Sequence, residues 1–278
     1  MMTLSRPLIF LAAGVLLTAA DHAGAAQLVR VGAAHFPPYV VRPEKSDQQG
    51  LLPQLLASLN RSQSTYNFVM VPTSVTRRFR DFAQGRVDLA IFENPQWGWR
   101  DIAHTAVDLG LEDEEVFVAR QVPGRGQDYF NELSGKHLVL FNGYHYAFAQ
   151  FNASPDYLTA HFKVTLTYSH ESNLLMLNRG RVDIAPMTRS FLRDAALRGV
   201  VNADELLISE RVDQVYRHYA LIQPGSPISG AELTRLLRLL HDSGQMKQIF
   251  SPYDIRQVSA ARSKAPLGLS ANAAAHLQ

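Results

Sequence analysis

Hydrophobic and polar positions fall into short registers along this chain, and the register switches repeatedly between a strand period and a helix period. Residues 66–71 alternate with period two, while 28–32 (LVRVG), 115–120 (EVFVAR) and 136–141 (KHLVLF) are β-type runs. Between them, residues 49–60 place Leu51, Leu52, Leu55, Leu56 and Leu59 on one helical face, with Pro53 tolerable near the first turn. Residues 75–83 and 172–178 are also helix-like. Near the end, 231–240 (AELTRLLRLL) predicts an amphipathic helix stopped by Asp242-Ser243-Gly244, and 245–250 predicts a second, short one.

One stretch nearly repeats. Gly85-Arg86-Val87-Asp88-Leu89-Ala90 returns as Gly180-Arg181-Val182-Asp183-Ile184-Ala185. Each copy follows a helix-like segment, and its Gly suits a helix C-terminus ahead of a short apolar strand. Each also has a β-type run upstream that leads into a loop, so a strand, helix and strand occur twice. The interval is too long for a solenoid. Strands alternating with helices imply largely parallel sheets with helices on both faces, so the expected fold class is α/β, built as two lobes of roughly 90–110 residues each.

Composition narrows the compartment and chemistry. The chain has 278 residues, 46% of them hydrophobic, enough for a packed core. Its net charge of +2 is spread along the sequence, so nucleic acid is not an expected partner. There is no cysteine, which excludes disulfides, thiolate metal sites, a cysteine nucleophile and a lipobox anchor. Arg6, the apolar run 7–20 and Ala23-Gly24-Ala25 read as a secretory signal over residues 1–25, cleaved after Ala25. About 14 apolar residues fall short of the ~20 that span a bilayer, so the expectation is an exported, periplasmic protein.

The ordered set of pieces resembles the extracellular solute-binding proteins of the polar amino-acid class, family 3, with the type II periplasmic-binding fold. Residues 31–39 (VGAAHFPPY) look like that family's opening strand and aromatic-proline loop. Residues 82–100 look like its "GxxD strand, loop, Arg" segment, 133–143 (LSGKHLVLFNG) like the start of its second lobe, and 218–250, with DSGQMKQIF, like its closing elements. The resemblance implies a two-lobed fold with a hinge and a central ligand cleft. Lobe one would span 26–111 and 216–256, and lobe two 112–215 including the hinge strands. Residues 257–278, where the composition turns to Ala and Ser, would be a disordered tail.

The same resemblance implies the site. Arg100, twelve residues after Asp88, stands where the family places the arginine that clamps a ligand carboxylate. Glu93, Asn94 and Pro95 would form the rim beside it, with Trp97 and Trp99 walling the pocket or packing the lobe. Phe36 and Tyr39 stand in the aromatic-wall loop. Thr76 and Arg77 occupy the segment where a second aromatic is expected, which suggests an additional cation. In lobe two, Gly143, Tyr144 and His145 follow a strand at a loop suited to anion binding. Thr188 stands five residues after Asp183, where amino-acid binders carry an Asp for the α-ammonium, so the expected site favours a carboxylate without demanding an amino group.

The leading expectation is a non-enzymatic, monomeric binding protein that captures a small carboxylate-bearing solute, an amino acid or related organic acid, for an inner-membrane ABC permease or a sensor. No cofactor or metal is expected, since the ten histidines form no HExxH and residues 112–115 lack calcium-loop spacing. The alternatives are a cyclohexadienyl dehydratase-like enzyme, with Glu93 or Glu171 as its acid, and a ligand-free interaction module whose cleft is plugged by Trp97, Trp99 or Tyr144.

Overall fold

A computed structural model describes residues 25–45, 47 and 49–258. The segment read as a signal, save Ala25, and residues 259–278 lie outside the described residues. In chain order the elements are β1 (Gln27–Ala33), α1 (Leu51–Ser62), β2 (Tyr66–Pro72), α2 (Arg78–Ala83), β3 (Leu89–Glu93), β4 (Thr105–Arg120) and β5 (Leu138–Phe141). They continue with α3 (Pro155–His161), β6 (Val164–Thr167), α4 (His170–Asn178), β7 (Ala185–Thr188), α5 (Arg189–Leu197), β8 (Leu206–Ile222), α6 (Gly230–Asp242), α7 (Gln245–Phe250) and β9 (Arg256–Gln257).

The main sheet runs β2-β1-β3-β8-β4-β7, with β9 also on β4. β1 lies parallel between β2 and β3, whereas β8 returns antiparallel to β3 and β4. β5 and β6 pair parallel and join β7 through a bridge from Leu138 to Ile184. This is the two-lobed α/β plan. The long strands β4 and β8, of 16 and 17 residues, run as one antiparallel ladder from the first lobe into the second. Their register breaks at Asp108/Leu111 and again between Glu115 and Val118, where the ribbon turns from one core to the next.

The first core packs β1, α1, α6 and α7 around Val31, Leu55, Leu89, Leu236 and Phe250. The second lobe holds two clusters, one around Val116, Leu177 and Phe191 and one around Phe117, Leu140 and Ile184. The leucine face read in the sequence is the buried face of α1.

The internal repeat has a bonding basis. In each copy the glycine takes a positive φ, 66° at Gly85 and 64° at Gly180, and the next arginine N–H donates five residues back, to Asp81 O and Met176 O. The aspartate then ties the unit to the neighbouring strand: Asp88 accepts from Arg30 N at 2.7 Å, and Asp183 from His137 N at 2.7 Å. The four letters Gly-Arg-Val-Asp therefore encode a helix stop and a strand clamp, used once per lobe.

Three expectations change. The helix read at 75–83 begins only at Arg78, because 75–77 form a turn in which the Ser74 hydroxyl accepts from Arg77 N. α3, β6 and α5 add elements that the pattern did not show. Gln257 and Val258 are not a free tail: β9 pairs with Leu111–Glu112, and Val258 N donates to Gly110 O at 2.9 Å.

Gly50 fixes the approach to the site. Its φ is 108°, and a Cβ there would lie 2.8 Å from the carbonyl oxygens of Pro38 and Tyr39, which cap Leu51 N and Leu52 N at the start of α1. Gly50→Ala is expected to cost about 1–3 kcal/mol, read as a lower urea midpoint; an unchanged midpoint would show that the loop yields freely.

Candidate functional site

Between the lobes lies a cavity of about 60 Å³, several times the ~10–15 Å³ that one water needs. Lobe one supplies Phe36 after β1, Val75 after β2, Arg78 at the start of α2, Glu93 at the end of β3, and Trp97; lobe two supplies Gly143, Tyr144 and His145 after β5. Tyr216 on β8 closes the hinge side. These are C-terminal ends of parallel strands and the start of a helix, where loops converge from both lobes. The lining is largely aromatic: Phe36 meets Tyr144 edge-on across the cleft at 5.4 Å and Trp97 at 6.4 Å.

One ion pair is set into that wall. Arg78 Nε lies 2.7 Å from Glu93 Oε1, with both side chains nearly buried. The N–H does not point along that line, so the contact is Coulombic more than a directed hydrogen bond. Trp99 Nε1 donates to Glu93 Oε2 at 2.9 Å, and an Arg78 Nη1 bond to the Val75 carbonyl holds the guanidinium in place. The Arg78 guanidinium also sits 4.2 Å above the Phe79 ring. Burial pushes the Glu93 carboxyl above its ordinary range, and the Arg78 charge and the Trp99 hydrogen bond pull it back. Burial, then the Arg78 charge, lowers His145 to about 4, so its ring is neutral.

Of the residues singled out in the sequence, Phe36, Glu93, Gly143, Tyr144 and His145 meet at the cavity. Arg100 does not. In 97–100 burial alternates, with Trp97 and Trp99 inward and Gly98 and Arg100 outward, so the indole of Trp99 takes the inward direction and Arg100 is exposed. The cation at the cavity is Arg78. Its neighbours Thr76 and Arg77 are exposed, in the turn that precedes α2. Asn94 is spent on the hinge, donating to the Arg217 carbonyl at 3.0 Å, and Pro95 lies outside the lining. Glu171 is also away from the cavity, 3.6 Å from Arg198 and accepting from Ser169.

Tyr39 and Thr188 serve the frame beneath the cavity. Tyr39 is fully buried under Phe36, their rings stacked at 4.9 Å. Its hydroxyl donates to Asp113 Oδ2 and meets His218 Nε2, each at 2.9 Å. Asp113 on β4 also accepts from the Ser190 hydroxyl of α5, so a buried polar cluster joins the lobe-one loop, both hinge strands and a lobe-two helix. Burial raises Asp113 to about 6 despite those hydrogen bonds. Thr188 caps α5, accepting from Phe191 N at 3.1 Å.

Sequence reasoning missed Arg78, Tyr216 and the Asp113 cluster. The dipeptide Arg77-Arg78 was a visible signal for an added cation, but not for which of the two faces inward.

This arrangement defines a two-lobed protein of the type II periplasmic-binding fold, as the sequence resemblance implied. Solved structures share it at low identity. One is the substrate-binding protein of an amino acid ABC transporter, with a TM-score of 0.62 and 15% identity, over 81% of this chain and 98% of that one. Another is the binding component of an ABC transporter from Wolinella succinogenes, complexed with lysine, with a TM-score of 0.64 and 14% identity, over 81% of this chain and 95% of that one. A third is an ancestral amino acid-binding protein described as a precursor of cyclohexadienyl dehydratase, with a TM-score of 0.61 and 13% identity, over 81% of this chain and 95% of that one. No protein-family model matches the chain, and no curated protein matches it in sequence.

Proposed function

We propose that the protein is a solute-binding protein that captures a small amino acid or related carboxylate-bearing solute between its lobes. The observation that carries this reading is the Arg78–Glu93 pair in the wall of the aromatic cavity. An α-amino acid brings one carboxylate and one ammonium. It can offer the guanidinium a planar, two-oxygen partner and offer Glu93 the cation it keeps, so two buried charges exchange one partner for a better one. Glu93 thereby provides the carboxylate that Thr188 lacks. The Phe36, Trp97 and Tyr216 rings favour a compact apolar body on the solute.

In this reading the protein is exported through the segment 1–25, acts as a monomer in the periplasm, and hands its solute to an ABC permease or presents it to a sensor. Binding works by differential affinity for the closed state.

The test is a thermal-shift panel of amino acids, dicarboxylates, keto acids, polyamines and prephenate. A ligand at about 100 times its Kd adds roughly 2.7 kcal/mol to the folded state. Stabilisation by an amino acid or a simple carboxylate is the expected result. A panel without a binder overturns this reading in favour of a cleft filled by its own Tyr144 and Trp97. A second reading has one observation behind it: Glu93 is a cleft carboxyl whose affinity for its proton is raised by burial, as a general acid requires. Consumption of prephenate in the same panel would establish a dehydratase instead.

A further inference from the structure

The acidic run at 112–115 is split by the alternation of β4. Glu112 and Glu114 take one face and are met by cations: Arg217 and Arg256 reach Glu112 at 3.3 and 3.4 Å, and Arg189 and Arg256 reach Glu114 at 2.8 and 3.2 Å. Asp113 and Glu115 take the other face and are buried. Among the described residues no lysine, arginine or histidine forms an ion pair with either. Asp213 adds a third acid. β8 sets Gln214 opposite Glu115 and Val212 opposite Val116, so Asp213 is the extra residue of a bulge beside Glu115.

The three acids are not equivalent. Asp113 accepts from the Tyr39 and Ser190 hydroxyls and from the N–H groups of Glu114 and Ser190, the last two at 2.8 and 3.3 Å. Asp213 accepts from Ala147 N and Phe148 N, each at 2.8 Å, and Arg211 also bears on it. Such donors favour the ionised form. Glu115 has none: both of its oxygens are buried without a hydrogen-bond partner among the described residues. A charge there would lack compensation and be repelled from two sides. Burial raises its affinity for a proton, and the Asp213 and Asp113 charges raise it further.

Nothing around Glu115 relieves it. From the loop after β5, the Tyr144 and Tyr146 hydroxyls feel its charge, and the Tyr146 hydroxyl donates to Phe141 N's neighbourhood only as an acceptor from that N–H at 2.9 Å. On β8, Gln214 Nε2 is taken by the His145 carbonyl at 2.7 Å, and Tyr216 and a neutral His218 lie further along the same face. On β7, the Thr188 hydroxyl is occupied by Ser190 and Phe191 N. Across the cleft, Arg78 and Glu93 pair with each other. The ladder loses register between Glu115 and Val118, so this carboxyl stands where the hinge ribbon bends, on the face shared with the cavity residue Tyr216.

We infer that Glu115 carries a proton while the lobes are closed and yields it to water as the hinge opens, so that closure draws about one proton from the solvent and mild acid favours the closed state. Opening turns the cleft face of β4 toward water, which solvates the charged form; closing removes that water. Because the closed state has the higher affinity for the proton, the closed-to-open ratio rises as pH falls, by at most about tenfold per pH unit. Joined to the proposed function, on which this consequence rests, the same coupling makes the protein hold its solute more tightly in acid and release it in alkali.

Two readouts that need no solute test this. The first is the infrared band of protonated carboxyl groups at neutral pH, compared between wild type and Glu115→Gln, which keeps the shape of the protonated acid. The second is single-molecule energy transfer between dyes on Gln84→Cys in lobe one and Ala160→Cys in lobe two, clean because the chain has no cysteine of its own. The expected results are a carboxylic-acid band that the variant loses, and a closed-to-open ratio that rises at least about tenfold from pH 8 to pH 6 in wild type and less than about twofold in the variant. Asp113 titrates in both proteins, so the difference belongs to Glu115. An unchanged band, a lobe separation in wild type that ignores pH, or the same pH dependence in both proteins overturns the inference. Glu115→Met, also neutral, serves if the glutamine variant does not fold; failure of both to fold would show that the closed protein needs the negative charge, and overturns it too. A solute panel without a binder removes the proposed function alone, since neither readout depends on it.

Discussion

Arg78→Ala is expected to abolish solute binding and to lower stability by about 3–5 kcal/mol, the cost of stripping one partner from a buried ion pair. In a chain of this size that is a fall of roughly 10 °C in melting temperature. The reason lies in what remains. Glu93 keeps only the Trp99 indole as a donor, in a wall otherwise made of Phe79, Trp97 and the β3 strand, and a lone carboxylate there must either stay charged without compensation or take a proton. The double variant Arg78→Met, Glu93→Gln separates the two roles. It replaces the pair with a neutral one of similar volume, so melting temperature returns to near the wild-type value while binding of an amino acid stays lost. Calorimetry and titration on the same samples check both halves. Retained affinity in the double variant would remove the pair from the binding site; a single variant as stable as wild type would show that Arg78 is not needed to hold Glu93.

Acid is the second large lever. His170 and His218 are fully buried, and burial lowers them to about 4 and about 3 from an ordinary 6.5. The unfolded chain binds these protons near pH 6.5 while the folded chain refuses them until well below pH 5. Their stabilising contribution is therefore complete above about pH 6.5 and is lost as pH falls. Between pH 7 and pH 5 each histidine removes about 2 kcal/mol by linkage. Asp113 acts with the opposite sign: its folded affinity for a proton is raised to about 6 from 3.8, so acidification relieves it by about 1 kcal/mol over the same span. Glu93 and Glu115, both raised by burial, lean the same way. In urea unfolding at pH 7 and pH 5, His170→Leu should lose about 2 kcal/mol less than wild type. Parallel losses in the two proteins would mean that His170 takes up its proton without unfolding.

Much of the fold was legible because its signals are local. The α1 and α6 faces are leucine stripes at helical spacing, and the repeated Gly-Arg-Val-Asp marks a helix stop and strand clamp in each lobe. α5 escaped notice because its buried side is thin, with Phe191, Leu192 and Ala195 set among Arg and Asp. The two residues of β9 carry no period at all. The site was legible by neighbourhood and not by direction. The loops named in the sequence do line the cleft, yet spacing from Asp88 cannot say whether position 99 or position 100 faces inward, and a tryptophan won that place. Glu93 stood out as a carboxylate on the rim, but its partner comes from another element, so the pair exists only after folding. Asp113 lay in an acidic run that reads as solvated; it is buried because Tyr39, His218 and Ser190 arrive from three distant segments to meet it.

The edge of β4 that faces away from β8 is shared by two short partners. β7 pairs with Glu115–Val118, and β9 continues along Leu111–Glu112, held also by Arg256 reaching Glu112 and Glu114 at 3.4 and 3.2 Å. A bare stretch of backbone donors and acceptors at that point would be an invitation for another molecule to add a strand. The few residues after α7 thus act as a selvedge, a finished border that keeps the connecting ribbon from being sewn to its neighbours.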